Sequence, residues 1–223
     1  MSETAKAWDK VRQTNVTEGF TLGPINAESM LHDPKHLGFV LARYKFAGKM
    51  LRRCTNILDV GCGEGLGVMM YLAETGARIT AVDFDEDQIA YCRTHVAPHG
   101  RDRVVFESRD VIAAPIEPAS YDGMSCLDVI EHLHSQDETP FFAHCAAALQ
   151  TGGVAVWGTP SLHSSAYASA RSQLGHINLF DPDRLVVALE RHYRRVFLFS
   201  MNDEMVHTGF SKMAHYLVAL CVK

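Results

Sequence analysis

Residues 56–65 have the sequence Asn-Ile-Leu-Asp-Val-Gly-Cys-Gly-Glu-Gly, an apolar run followed by three closely spaced glycines. This pattern predicts a strand that ends in a tight turn, and the residues beyond the turn have helical spacing. Glycines let the backbone bend sharply and approach a bound molecule without a clash from a side chain. Because doubly wound sheets bind nucleotides at their first crossover, this turn is the first candidate binding site.

An acid and an aromatic residue follow the second predicted strand. A carboxylate at Asp83 can accept hydrogen bonds from both hydroxyls of a ribose, and the ring of Phe84 can cover one face of adenine. The alternative is a dinucleotide-binding motif, which would require glycine at position 66 when counted from Gly61. The chain has Leu66 there, so the dinucleotide pattern fails.

Residues 57–65, with Asp59 ahead of the glycines, closely resemble motif I of the S-adenosylmethionine-dependent methyltransferases. The segments 83–85 and 109–111 follow the second and third strands, and the matching motifs together cover roughly residues 56–133. The resemblance implies S-adenosylmethionine as the cofactor and methyl transfer as the activity. It also makes Asp110 the acceptor for the adenine amino group, whereas the alternative for Asp110 is a turn or helix-cap residue.

The cofactor also needs a partner for the carboxylate at its amino-acid end. Arg43 is the candidate because its guanidinium offers a fork of donors, and the alternative is a solvated helix residue. The complete predicted cofactor site consists of Asp59, Gly61, Cys62, Gly63, Asp83, Phe84, Asp110, Val111, Leu127 and Arg43.

Residues 128–132, Asp-Val-Ile-Glu-His, follow the fourth predicted strand. They resemble the acid-x-x-Glu-His segment of two metal-dependent groups, the small-RNA 2′-O-methyltransferases and the ubiquinone-pathway O-methyltransferases. Those groups have a further histidine shortly before an aromatic residue and a helix start, which His176 matches. The resemblance implies one divalent cation, Mg²⁺, Mn²⁺ or Fe²⁺, that lowers the pKa of a substrate hydroxyl. Its ligands would be Asp128, Glu131, His132 and His176.

A second interpretation of the same residues needs no metal. Glu-His-Leu after the fourth strand is also typical of class I methyltransferases that bind no cation, and Asp128 stands where the metal-dependent groups have glutamate. His132 or His176 would then be the general base, since imidazole titrates near neutral pH. In either case the predicted catalytic residues are His132, Glu131 and His176.

Alternating strands and helices must position these residues. Strands are predicted at 56–60, 78–82, 103–107, 121–127, 154–158, 195–201 and 213–222, and helices at 64–74, 86–96, 136–149 and 182–192. Helix starts are marked by Asp-Pro at 33–34 and 181–182 and by capping boxes at Asp85…Gln88 and Ser135…Glu138. The last two strands have no helix between them, which allows antiparallel pairing.

The predicted fold class is therefore α/β, a doubly wound, mostly parallel, Rossmann-like sheet of seven strands with an antiparallel C-terminal hairpin. Residues 1–52 are predicted to form an N-terminal helical lid, and residues 53–223 the methyltransferase domain.

Composition further narrows the set of candidate functions. The net charge of −5 weighs against a nucleic-acid partner. The six cysteines lack zinc spacing and suit a reducing cytoplasm, and no apolar stretch predicts a membrane partner or signal peptide. We expect O-methylation of a small-molecule acceptor, either a polar metabolite or a sugar, and homo-oligomerisation stays open. The alternatives are an RNA 2′-O-methyltransferase and a cofactor-binding protein without turnover.

Overall fold

The computed structural model describes residues 1–14 and 19–223, and it contains one eight-stranded sheet. The strands are β1 (Asn56–Val60), β2 (Arg78–Asp83), β3 (Val104–Ser108), β4 (Tyr121–Leu127), β5 (Leu149–Pro160), β6 (Arg195–Asn202), β7 (Met205–His207) and β8 (Tyr216–Val222). Their order across the sheet is β3-β2-β1-β4-β5-β8-β6-β7. The pairs from β3 to β5 are parallel, whereas β8 runs antiparallel to both β5 and β6.

Helices cover both faces of this sheet. They are α1 (Glu3–Thr14), α2 (Pro24–His32), α3 (Pro34–Met50), α4 (Leu66–Glu74), α5 (Glu86–His95), α6 (Ala97–Gly100), α7 (Glu138–Ala148), α8 (Ala170–Gly175) and α9 (Pro182–Glu190). Short 3₁₀ segments lie at Ile130–His132, Ser135–Asp137, Leu162–Tyr167 and Ser211–Met213. Within the two ranges that the structure describes, none of the helices is both long enough and apolar enough to cross a membrane.

Two apolar layers hold the sheet between the helices. One layer centres on the fully buried Trp157, which packs against Phe141 and Phe142 of α7. The other layer contains Ile57 of β1 and Tyr71 of α4, both also fully buried. Full burial of one large apolar side chain contributes about 1.5–3 kcal/mol, so these layers fix the strands that end at the candidate site.

The predicted α/β class, the mostly parallel sheet and the antiparallel C-terminal hairpin are confirmed. The predicted count of seven strands is wrong by one, because Met205–His207 folds back on β6 as a short edge strand. The predicted helix at 64–74 begins only at Leu66, since Gly65 before it has a left-handed backbone with φ of +74°.

Local capping signals were correct at three of the four marked helix starts. Asp33, Asp85 and Asp181 each accept a backbone hydrogen bond from the first turn of the following helix. The capping box at Ser135…Glu138 is wrong, because Ser135 lies in a 3₁₀ turn and gives α7 no side-chain cap. The Glu138 carboxylate instead accepts hydrogen bonds from Asn178 and Arg184, so it does not turn back towards Ser135.

Candidate active site

The glycine-rich turn lies at the carboxyl end of β1, as predicted. Gly61, Gly63 and Gly65 have φ values of +72°, +52° and +74°, in the region that favours glycine. At Gly61 there is a second requirement, since a Cβ would lie 2.2 Å from the Cγ2 atom of Val129 in the loop after β4. Glycine at position 61 therefore serves both the turn and the close approach of a neighbouring loop.

Asp83 fixes the shape of this turn. Its carboxylate is largely buried at the end of β2, where the Gly63 N–H donates to Oδ2 at 2.9 Å and the Asp85 N–H donates to Oδ1 at 3.0 Å. The side chain thus lies between the two loops that follow β1 and β2. The neighbouring Phe84 ring is 77% exposed, which fits a surface that stacks against a flat base.

Asp59 lies beneath the turn on β1 and is buried. Its Oδ1 accepts a hydrogen bond from the Ser125 hydroxyl of β4, while Oδ2 has no partner among the described residues. Burial raises the pKa of Asp59 to about 7, and the nearby Asp83 carboxylate adds to the increase. Asp59 therefore links two central strands and holds an unpaired polar atom close to the candidate nucleoside site.

Asp110 lies just beyond β3 and is exposed. Its Oδ1 accepts from the N–H groups of Ile112 at 2.8 Å and Ala113 at 3.1 Å, so the turn-residue alternative is present in the structure. The second carboxylate oxygen can still accept from a ligand. The remaining predicted cofactor residues are buried around the same edge of the sheet, namely Cys62, Val111 and Leu127. This set of acceptors, glycine turn and exposed ring fits an adenosine-containing cofactor.

Arg43 of α3 is buried and bound, so it is not a solvated helix residue. Its Nη1 donates to both oxygens of Asp128, at 2.9 and 3.1 Å, and the guanidinium carbon lies 3.8 Å from the centre of the Tyr216 ring. Asp128 follows β4 directly and has a φ of +59°. Asp128 thus engages Nη1 of Arg43, whereas the buried Nε of Arg43 has no partner among the described residues.

Three of the four predicted metal ligands lie together. One ligand atom from each of Glu131, His132 and His176 lies within 4.8 Å of the other two. Glu131 and His132 belong to the 3₁₀ segment after β4, and His176 is the C-cap that follows α8, with its ring centre 5.3 Å from that of His132. Asp128 lies outside this group because its carboxylate faces Arg43.

Hydrogen bonds determine which side-chain atoms of the cluster already have partners. The Nδ1 atom of His132 lies 2.9 Å from the carbonyl oxygen of Gly175, so Nδ1 donates to that oxygen, and in the neutral ring the lone pair is on Nε2. That Nε2 lies 3.9 Å from Oε1 of Glu131, which is completely buried. Glu131 Oε2 accepts from the Thr159 hydroxyl at 2.9 Å, whereas Oε1 has no partner among the described residues.

Burial also changes the protonation of the cluster. It raises the pKa of Glu131 to about 8, and the Asp128 carboxylate contributes to the increase. Burial and the neighbouring His132 lower the pKa of His176, which favours its neutral form. An acid with an unpaired buried oxygen and two imidazole rings is a donor set that fits a divalent cation.

The sequence prediction missed several polar residues at this edge. His36 of α3, His215 and Tyr216 all surround the Arg43–Asp128 pair, and burial lowers the pKa of both histidines. Tyr216 opens β8 and pairs with Pro160 at the end of β5. An antiparallel strand begins at the edge where its parallel neighbours end, so the predicted hairpin could have pointed to these residues.

A cleft of about 260 Å³ lies beside His176. Its lining is composed of small or uncharged side chains together with that histidine, namely Ser165, Ala166, Ala168, Gln173, His176 and Leu179. His163 is exposed on the 3₁₀ segment that supplies Ser165 and Ala166 to this lining. The cleft is therefore the candidate acceptor space, and it opens directly on the cluster.

Comparison with known proteins defines the class first. Residues 57–153 match the family described as "Methyltransferase domain". A S-adenosylmethionine-dependent methyltransferase from Archaeoglobus fulgidus superposes with a TM-score of 0.63 at 20% identity, covering 89% of this chain and 99% of that one. Residues 57–153 thus match a methyltransferase domain, and the fold is that of S-adenosylmethionine-dependent methyltransferases, which supports the resemblance of the glycine-rich segment to that class.

More specific relatives are two bacterial proteins named ubiquinone biosynthesis O-methyltransferase. The protein from Xanthomonas euvesicatoria is 31% identical over 140 residues, covering 62% of this chain and 54% of the relative. The protein from Idiomarina loihiensis is 36% identical over 104 residues, covering 46% and 41%. This chain thus spans about half the length of the curated relatives that it matches.

Proposed function

We propose that this chain is a S-adenosylmethionine-dependent O-methyltransferase that acts on a hydroxyl group of a small polar metabolite or sugar. The observation that carries the proposal is the cluster of Glu131, His132 and His176, which lies beside a cleft. The names of the similar O-methyltransferases support transfer to oxygen, and the net charge of −5 favours a small acceptor over RNA.

The cofactor-binding residues have separate tasks in this mechanism. S-adenosylmethionine, when bound, supplies a methyl group that is already activated on a sulfonium centre. Asp83 would accept from the ribose hydroxyls, Phe84 would cover the adenine, and Asp110 would accept from the adenine amino group. Because Gly63 and Asp85 already hold the Asp83 carboxylate, its acceptor atoms are oriented before the nucleoside binds.

Proton removal is the task of the acid–histidine cluster. Methyl transfer requires a nucleophilic oxygen, so the acceptor hydroxyl must lose its proton during the reaction. When no cation is bound, His132 can take that proton at Nε2, because the Gly175 carbonyl fixes its tautomer through Nδ1. Gly175 ends α8, which lies beside the candidate acceptor cleft, so the general base and the cleft are positioned by the same segment.

A divalent cation is part of this proposal. Glu131, His132 and His176 would hold it, and the ion would supply a Lewis acid that lowers the pKa of the acceptor hydroxyl. One carboxylate with two imidazoles favours Mn²⁺ or Fe²⁺ over the harder Mg²⁺. The six buried or half-buried free thiols support action in a reducing compartment such as the cytoplasm.

The test is methyl transfer from labelled S-adenosylmethionine to a panel of hydroxylated metabolites and sugars, with a structured RNA in a parallel reaction. We expect a labelled small-molecule ether. Glu131→Ala and His176→Ala should lower the rate at least about a hundredfold, the size of a lost acid–base or metal-ligand contribution. The matched control His163→Ala changes an exposed histidine of the neighbouring segment and should leave the rate unchanged.

Chelation distinguishes metal-assisted catalysis from catalysis by a histidine base alone. Loss of activity after removal of divalent ions, with recovery on addition of Mn²⁺ or Fe²⁺, would support the cation site. Unchanged activity after chelation would remove the cation from the proposal and leave His132 as the base. Labelled RNA as the only product, or nucleoside binding with no labelled acceptor at all, would contradict the proposed function.

A further inference from the structure

The glycine-rich turn is in direct contact with the N-terminal part of the chain through Glu64. This residue lies between Gly63 and Gly65, and its carboxylate is 7% exposed. Its Oε1 accepts from the Ile25 N–H at 2.7 Å, and its Oε2 accepts from the N–H and the side-chain amide of Asn26 at 2.9 and 2.7 Å. Three hydrogen bonds to a single buried carboxylate form an unusually specific contact between segments 38 and 39 residues apart.

Glu64 supplies a cap that α2 lacks in its own sequence. The N-cap residue Gly23 has no side chain, and Pro24 has no N–H, so the first free donors of α2 belong to Ile25 and Asn26. The Glu64 carboxylate binds both of these donors and places a negative charge at the positive end of the helix. Only glycine fits at position 23, because a Cβ there would lie 2.3 Å from Cδ of Glu64.

Residues 19–32, here called the strap, contact the domain at two other places. The hydroxyl of Tyr91 on α5 donates to the carbonyl oxygen of Thr21, and the Phe20 ring packs 5.5 Å from the ring of His99. At its other end the strap continues into α3, which carries Arg43. The strap thus runs from α5, past the glycine-rich turn, to α3.

Apolar burial contributes little to holding α2 in place. None of the residues of α2 is buried, and Ile25, Met30 and Leu31 are 44%, 52% and 78% exposed. With so little apolar area removed from water, the charged hydrogen bonds of Glu64 are the strongest contact of α2 with the turn. A helix held in this way can detach without disturbing the core of the domain.

We propose that Glu64 is a positioning residue that docks the strap onto the turn and thereby couples cofactor occupancy to the position of the strap. The inference rests on the proposed function, because it requires the turn to bind S-adenosylmethionine. A nucleoside that orders Gly63 also orders Glu64 and tightens the strap. By reciprocity, a docked strap raises the affinity of the turn for the nucleoside. Affinity differences within one site arise mostly in the dissociation rate, so the release of the nucleoside should be slower.

Two variants test this inference by weakening the contact between the strap and Glu64. Gly23→Ala pushes the strap away from Glu64 without changing the turn, and Glu64→Gln keeps the side-chain shape but replaces one acceptor oxygen with a donor. Gly19→Ala is the matched control, since a Cβ at that strap position has nothing within 4 Å. Two readouts are needed, the rate of chymotrypsin cleavage after Leu31 and the dissociation rate of S-adenosylhomocysteine.

In the unchanged protein and in Gly19→Ala, we expect S-adenosylhomocysteine to slow cleavage after Leu31. In Gly23→Ala and Glu64→Gln, cleavage should be about tenfold faster, the nucleoside should no longer protect, and its dissociation should be about tenfold faster. The unfolding midpoint of the domain should stay within about 2 °C, because the core is untouched. KM for S-adenosylmethionine should rise more than kcat falls, which a merely structural role would not produce.

Wild-type cleavage and dissociation rates in both docking variants would overturn the inference, as would equal effects from Gly19→Ala. Failure of the unchanged protein to bind S-adenosylhomocysteine would instead contradict the proposed function. The cleavage rates without ligand would then still show whether Glu64 holds the strap, so the two failures are distinguishable.

Discussion

The Nη1 atom of Arg43 donates to both carboxylate oxygens of Asp128, at 2.9 and 3.1 Å. The pair joins the helix before the first strand to the loop after the fourth, across 85 residues of sequence. It also holds Asp128 away from the Glu131–His132–His176 cluster. The same contact therefore helps to fix the loop after β4, which carries Glu131 and His132.

Breaking this pair should destabilise the domain strongly. Arg43→Ala should lower the free energy of unfolding by about 3 kcal/mol, because it leaves the Asp128 carboxylate without its cation and uncovers the Tyr216 ring. Urea denaturation measures the change. Asp128→Asn keeps a residue type that tolerates the left-handed backbone, so the double-mutant cycle isolates the pairing from backbone strain.

The surface pair between Lys49 and Glu74 is the comparison for that measurement. Their charged atoms lie 2.8 Å apart, but the Lys49 side chain is 47% exposed. Lys49→Ala should therefore cost less than about 1 kcal/mol. Equal costs for Arg43→Ala and Lys49→Ala would show that the buried pair has no special structural role.

Gly61 should tolerate no side chain. Gly61→Ala forces the backbone out of its preferred region and drives a Cβ into Val129, so it should abolish binding of S-adenosylhomocysteine and lower the unfolding midpoint. Gly152→Ala is the matched control, because Gly152 also has a positive φ, +80°, but open space around its Cβ position. The loss of stability in Gly152→Ala should be smaller and should report backbone strain alone. Calorimetric titration and thermal unfolding measure both effects.

The contact with Val129 can be tested separately. Val129→Ala removes the methyl groups nearest to the added Cβ, so the double variant with Gly61→Ala should recover part of the lost stability. Identical losses in Gly61→Ala and Gly152→Ala, with no recovery in the double variant, would mean that the close approach of the two loops is unimportant.

Some of the contacts in this site can be predicted from local sequence, and others cannot. Caps such as Asp85 and the position of Asp83 after β2 depend on neighbours within a few residues or on strand order, and both were predictable. The Arg43–Asp128 pair and the Glu64–Asn26 contact join distant segments, and no local pattern encodes them. Tertiary partners also explain the one false cap, since Arg184 and Asn178 hold the Glu138 carboxylate.

Asp59 should make stability depend on pH. Its folded-state pKa of about 7 exceeds the ordinary value of 3.8, so the folded chain holds a proton that the unfolded chain releases. The stabilisation is present below pH 3.8 and is lost as pH rises towards 7. Asp59→Asn should remove this slope, so the difference in unfolding free energy between wild type and variant should fall across that window.

Ser125 provides the control for the pH experiment. Its hydroxyl donates to Asp59 and lowers the carboxyl pKa, so Ser125→Ala should raise that pKa and extend the loss of stability to higher pH. Parallel stability curves for wild type and Asp59→Asn between pH 4 and 7 would contradict the assignment.

The central claim is that the turn after β1 and the residues after β2 bind the nucleoside of S-adenosylmethionine. Phe84→Ala tests this most directly, because the ring is 77% exposed and its loss should leave stability unchanged. Calorimetric titration with S-adenosylhomocysteine should show wild-type binding, about tenfold weaker binding by Phe84→Ala, and unchanged binding by Phe210→Ala, whose ring is 67% exposed. No binding by the wild type, or equal affinity in Phe84→Ala, would contradict it.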